Sequence, residues 1–161
     1  MNLKMQEVKT KTLFFYGTLR DEEVREIVIG DHIKQFNLID GYLIGYKLFR
    51  VKNANYPLIL RDPSSKVKIF GLIATGLDEK IVKILDIFEG KNYSRAEVVA
   101  YQVCDDTEVI SEIYMPKGSL QYSEEWIYED WYRHEREFFF QYDFGIEGLS
   151  LIHISEPTRP Y

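Results

Sequence analysis

The sequence predicts an α+β domain, on three observations. Short apolar and aromatic runs recur between glycine and proline breaks, as strands and turns do. Two longer stretches repeat apolar residues at helical spacing. At 161 residues, with 45% hydrophobic and 29% charged, the chain has the size and composition of one folded domain.

The elements follow in order. "TLFFY", residues 12–16, is apolar apart from Thr12, which predicts a strand covered on both faces and ended by Gly17. "RDEEVREIVIG", residues 20–30, predicts a short helix with acids in its first turn and Gly30 at its end. From His32 to Val51, alternating apolar and polar residues around Gly41 and Gly45 predict extended chain broken by turns or bulges. "YPLILRDPSSKVKIFGLIATGL" predicts two strands joined at Pro63 and paired as a hairpin.

The second helix has the clearer pattern. In "DEKIVKILDIFEG" Asp78 is placed to cap, Ile81, Ile84, Leu85 and Phe88 fall on one face, and Gly90 stops the run. "YSRAEVVAYQV" and "EVISEIYMP" predict strands around the acidic turn "CDDTE", closed by Pro116 and Gly118. Ser123 is then placed to cap a last amphipathic helix carrying Trp126 and Trp131, whose aromatic end "EFFFQYDFG" predicts a cap on the core or a subunit contact. The final thirteen residues, "LSLIHISEPTRPY", show no periodicity and resemble the conceptual translation of a sequencing adapter. Residues 1–148 are therefore read as the domain and 149–161 as a non-native tail.

Charge and cysteine usage narrow the partners. A net charge of −6 argues against nucleic acid and against an anionic membrane. No apolar run reaches the ~20 residues of a membrane span, and the N-terminus lacks a signal-peptide pattern. Cys104, the single cysteine, lies in an apolar run and is expected to be a small buried hydrophobe, which fits a reducing, cytoplasmic address. His32, His134 and His153 are far apart without metal-ligand spacing and are expected at the surface. Phosphate loops, nucleophile elbows and CxxC pairs are missing from the sequence.

Two segments are candidates for chemistry. Glu89 ends the second helix beside Phe88, where the negative end of the helix dipole and desolvation both disfavour a carboxylate, so its pKa should rise toward the range useful for general acid-base catalysis. Read alone, it is more simply a solvated glutamate at a frayed helix end. In "YGTL", a glycine with positive φ would let the N–H groups of Gly17, Thr18 and Leu19 point outward together as an anion or oxyanion nest. Read alone, these residues are also an ordinary turn.

Taken together, "FFYGTLR", "YPLIL", "GLIATGL", "LDIFEGKNYSR" and "EIYMP" resemble, in order and spacing, the γ-glutamylcyclotransferase-like proteins, over about residues 12–140. The branch most similar is that of γ-glutamylaminecyclotransferase and the avirulence-induced plant proteins. The most specific part is Asp86-x-Phe88-Glu89-Gly90-x-x-Tyr93-x-Arg95. The resemblance implies a compact mixed β-barrel with flanking helices and a cavity whose mouth is the Tyr-Gly-Thr-Leu loop. It implies Glu89 as the acid-base catalyst and Tyr16, Gly17, Thr18 and Leu19 as substrate-binding residues, with Tyr93 and Tyr114 lining the pocket. Arg95 matches the family arginine, with pairing to Asp86 as its expected structural role. Threonine stands at position 18 where many relatives carry serine.

The implied reaction converts a γ-glutamyl amine or γ-glutamyl amino acid to 5-oxoproline and a free amine, by cleavage of an amide C–N bond without cofactor or metal. The substrate's own α-amine attacks its γ-carbonyl to close a five-membered ring, a step that gains from proximity. The alternative is a catalytically idle relative that binds a small ligand or a protein. A specialised leaving group within a biosynthetic sequence would use the same mechanism. Neither the leaving amine nor the oligomeric state is legible in the sequence.

Overall fold

A computed structural model describes residues 9–144, and the expected tail at 149–161 lies outside them. The centre is a closed barrel. Its strands are β1 (Lys11–Phe15), β2 (Asn37–Leu43), β5 (Ile69–Leu77), β6 (Tyr93–Gln102) and β7 (Glu108–Pro116), in the order β1-β5-β2-β6-β7. Neighbours pair antiparallel except β1 and β7, whose parallel pairing at Leu13 and Glu112 closes the ring. A second sheet, in the order β4-β3-β8, is built from β3 (Tyr46–Val51), β4 (Pro57–Arg61) and β8 (Tyr122–Glu125).

Leu13, Phe14 and Phe15 are all buried, so β1 is covered on both faces as its unbroken apolar run predicts. Gly41 and Gly71 face each other across β2 and β5. A Cβ on Gly71 would lie 2.3 Å from the Phe15 carbonyl oxygen and 2.6 Å from Phe14 Cζ. Only glycine lets β1 approach β5 this closely. Gly41 therefore sits within a strand and not at a turn, whereas Gly45, at φ 94°, does turn the chain.

The helices flank the barrel. α1 (Glu22–Ile29) is capped by Asp21, whose carboxylate accepts from the Val24 N–H at 3.0 Å, and follows a 3-10 turn at Thr18–Arg20. α2 (Glu79–Glu89) is capped by Asp78 through the Ile81 N–H at 2.9 Å and ends at Gly90, φ 86°. Ile81 and Leu85 are fully buried, each stabilising the packing by roughly 1.5–3 kcal/mol. Among the described residues no helix is long and apolar enough to cross a membrane.

Several expectations are corrected. The strands either side of Pro63 do not form a hairpin, because both edges of β5 are taken by β1 and β2, while β4 pairs with β3. Gly30–Gln35 forms a 3-10 turn, so His32 begins in helical and not extended chain, and its Nδ1 is buried. Ser123 caps no helix. It lies in β8, which pairs along β3 with the Tyr122 ring 4.9 Å from that of Phe49, and the last helix, α3 (Tyr128–His134), starts further on. Cys104 is exposed, because β6 ends at Gln102 and the turn carries Val103 and Cys104 out of the barrel.

Beyond α3, helical turns at Arg136–Phe138 and Phe139–Asp143 fold back over the barrel. Arg136 anchors them: its Nε donates to Asp21 at 2.6 Å and its Nη2 to Glu23 at 2.6 Å. The Asp21 carboxylate is only 2% exposed, so losing its cation would strand a buried charge. Arg136→Ala is expected to cost about 2–4 kcal/mol in urea unfolding, with a non-additive Asp21→Ala/Arg136→Ala double mutant. Additive effects would show that the pair is not coupled.

Candidate functional site

The turn after β1 and the end of α2 meet at one cavity of about 160 Å³. Tyr16, Gly17, Thr18, Leu19, Glu89, Tyr93 and Tyr114 all line it, joined by Tyr56, Pro57, Asn92 and Asp143 among others. Each comes from a different piece of chain for a local reason. The buried anchors of α2 present Glu89 on its last turn, and the β6–β7 hairpin brings Tyr93 and Tyr114 to the same wall.

The tyrosines are structural fixings as well as lining. Tyr16 Oη donates to the Tyr114 carbonyl at 2.6 Å, fastening the loop to β7. Tyr93 Oη donates to the Pro57 carbonyl at 3.1 Å. Tyr114 Oη donates to Asp86 Oδ1 at 2.7 Å. Burial raises all three phenols above their ordinary pKa, and the nearby Glu89 charge adds to each. They stay neutral donors.

Asp86 is the centre of this network. Arg95 Nε and Nη2 reach its two oxygens at 3.0 and 3.2 Å, and Arg95 Nη1 reaches Glu112 at 2.9 Å. The Asp86–Arg95 pairing expected from the motif is thus present, and it joins α2 to β6 and β7.

Glu89 lies one turn further along α2. Among the described residues none hydrogen-bonds to or ion-pairs with its carboxyl group, and the Asp86 charge is already committed to Arg95. Desolvation first, and the Asp86 charge second, push the Glu89 carboxyl up to about 8. The direction agrees with the sequence reading, but the second cause is a neighbouring carboxylate where the helix dipole was expected.

The loop works differently from expectation. Gly17 has φ −117°, not a positive value, so no left-handed residue builds the nest. Space is tight instead, since a Cβ there would lie 3.0 Å from Pro57 Cγ and the proline ring would have to give way. The Arg20 and Asp21 N–H groups bond back to the Gly17 and Thr18 carbonyls at 3.0 Å. Among the described residues, the N–H groups of Gly17, Thr18 and Leu19 find no backbone acceptor, which leaves them available at the cavity wall.

The sequence reading missed Asp143 and Asn55. Asp143 Oδ2 accepts from the Asn55 backbone N–H at 2.8 Å and from its Nδ2 at 2.9 Å. Trp131 Nε1 donates to the Asn55 carbonyl at 2.7 Å. No local motif marks either residue, because 88 positions separate them. Among the described residues no group of three or more His, Cys, Asp or Glu could hold a metal ion.

Comparison with known proteins places this geometry. The model of the family described as gamma-glutamyl cyclotransferase, AIG2-like, matches residues 13–133. AIG2-like protein C of Arabidopsis thaliana is 31% identical over 132 residues, spanning 79% of this chain and 72% of that protein. A protein of Arabidopsis thaliana solved in solution has a TM-score of 0.62 at 20% identity, over 96% of this chain and 98% of its own. A solved gamma-glutamyl cyclotransferase shares the fold with a TM-score of 0.59 at 14% identity, over 95% of this chain and 91% of its own. The family match runs from β1 to α3 and so takes in the loop, the glutamate and the tyrosines of the cavity: the chain belongs to the gamma-glutamyl cyclotransferase, AIG2-like family.

Proposed function

We propose that the protein cyclises the γ-glutamyl group of a γ-glutamyl amine or γ-glutamyl amino acid, releasing 5-oxoproline and the free amine. The observation that carries this reading is a carboxyl group of raised pKa, Glu89, on the same cavity wall as the free backbone N–H groups of residues 17–19. Family membership supports it.

The steps follow from these groups. The loop N–H groups hold the substrate carboxylate or the oxyanion that develops on the γ-carbonyl. Ionised Glu89 takes a proton from the α-ammonium, whose nitrogen then attacks the γ-carbonyl carbon to close the ring. As the amide C–N bond breaks, protonated Glu89 gives its proton to the departing nitrogen. The carboxylate so restored takes the surplus proton from the ring nitrogen and passes it to the released amine, which leaves as its ammonium while the ring keeps a neutral lactam N–H. One carboxyl serves twice because its pKa lies near working pH. Tyr16, Tyr93 and Tyr114, buried and neutral, line the cavity beside the glutamate.

The direct test is 5-oxoproline release by the full chain from γ-glutamyl amines, γ-glutamyl amino acids and glutathione. Glu89→Gln is expected to lower release about 10²–10⁴-fold with the fold retained. Turnover by this variant at the parental rate would sink the mechanism.

The wild-type kcat/KM should climb with pH as Glu89 ionises and level off above about 8. The stability has the opposite sign. The native state holds the Glu89 proton more tightly than the unfolded chain, so this group's contribution falls as pH rises from the ordinary carboxyl range to about 8. Glu89→Gln escapes that loss, and its melting temperature should gain on wild type between about pH 5 and pH 8. A constant gap would refute the raised pKa.

Gly17→Val should push on Pro57 and displace the loop, raising KM by about tenfold or more. An unchanged KM would mean the loop does not hold substrate.

A further inference from the structure

The cyclisation reading assigns one of the cavity's two charged residues and leaves Asp143 without a task. Among the described residues, Glu89 and Asp143 are the charged side chains of the lining, with no lysine or arginine beside them. Both bonds from Asn55 go to Oδ2 of Asp143. Among the described residues Oδ1 has no donor and the carboxylate has no salt-bridge partner. A carboxylate on a cavity wall with no cation beside it favours a ligand that brings a positive group.

The group is held firmly. Asn55 is fixed by Trp131 at its carbonyl and by Arg50 Nη2 at its Oδ1, at 3.4 Å. Arg50 also braces the turn through its Nε bond to the Ala54 carbonyl at 2.7 Å. Asn55 can therefore only offer its amide N–H groups to Asp143, which sets the carboxylate's direction. Asp143 stands on the C-terminal helical turn, tied to Asn55 of the β3–β4 connection and apart from α2, and the carboxylate whose charge acts on Glu89 is Asp86.

We propose that Asp143 is a specificity-determining residue whose carboxylate binds a second, positively charged group on the departing amine. This rests on the cyclisation reading: the γ-glutamyl part is taken by the 16–19 loop and Glu89, so the remaining charged group faces the leaving part. The favoured substrate class is then the γ-glutamyl derivative of a diamine or another cationic amine. A neutral alkylamine gains nothing from Asp143, and an amino acid brings a carboxylate that it repels. The second ammonium takes no part in bond making.

The test compares kcat/KM for γ-glutamyl putrescine, γ-glutamyl butylamine and γ-glutamyl alanine, in wild type, Asp143→Asn and Asp143→Glu. Wild type is expected to prefer the putrescine derivative over the butylamine derivative by about tenfold or more, chiefly through KM, and the preference should shrink with added salt. Asp143→Asn should bring the ratio close to one, and Asp143→Glu should restore part of it. An unchanged ratio, or an equal loss on all three substrates, would overturn the assignment, the latter placing Asp143 on the shared γ-glutamyl part. Absence of turnover from every substrate would instead defeat the cyclisation reading. Calorimetric binding of the putrescine and butylamine derivatives to Glu89→Gln reads the selectivity without chemistry, and equal affinities there would overturn it as well.

Discussion

The ion pair between Asp86 and Arg95, closed by the Tyr114 phenol, is the contact on which the site depends. It fixes the last turn of a surface helix to two strands of the barrel, and the next turn position inward is Glu89. Without it, α2 would be held by its apolar face alone, which sets depth but constrains rotation weakly. On the proposed reading, displacing that carboxyl by an ångström would lose much of the benefit of proximity. Arg95 also spends one nitrogen on Glu112, so Asp86 is neutralised by a cation that is itself positioned from β7.

The cavity divides its work between backbone and side chain. On the proposed reading, backbone N–H groups carry partial charge without the desolvation penalty of a buried cation, so they would receive an anionic group without lowering the pKa of Glu89. A lysine or arginine in the lining would have done the first task and spoiled the second. The three buried phenols suit the same logic, since they give hydrogen bonds and remain uncharged.

Much of this architecture was legible because it is local. Asp78, Ile81, Leu85 and Gly90 mark α2 by cap, spacing and stop, and each does in the structure what its chemistry suggests. The long hairpin of β6 and β7 was legible for the same reason. What escaped depends on competition between distant segments. The run from Tyr56 to Leu77 reads as a hairpin until β1 and β2 claim both edges of β5. Tyr122–Glu125 has the letters of a helix start but follows the open edge of β3. Cys104 continues an apolar run past the point where the strand stops being covered. Of the cavity lining, Glu89 and the 16–19 loop were singled out by motif and family resemblance, while the Asn55–Asp143 contact carries no signal in either neighbourhood.

The parallel pairing of β1 with β7 has a bearing on how the chain can be made. β1 and the loop that follows it leave the ribosome before the other described strands, yet Tyr16 finds its Tyr114 partner 98 positions later. Until β7 emerges, the aromatic strand has β5 as a neighbour on one side and an open edge on the other. Closure is therefore a late, high-contact-order event in biosynthesis, and the nascent chain displays Leu13, Phe14 and Phe15 beside an unpaired backbone until β7 is made. Chaperone demand during synthesis should thus be concentrated on the very segment that later becomes the mouth of the cavity.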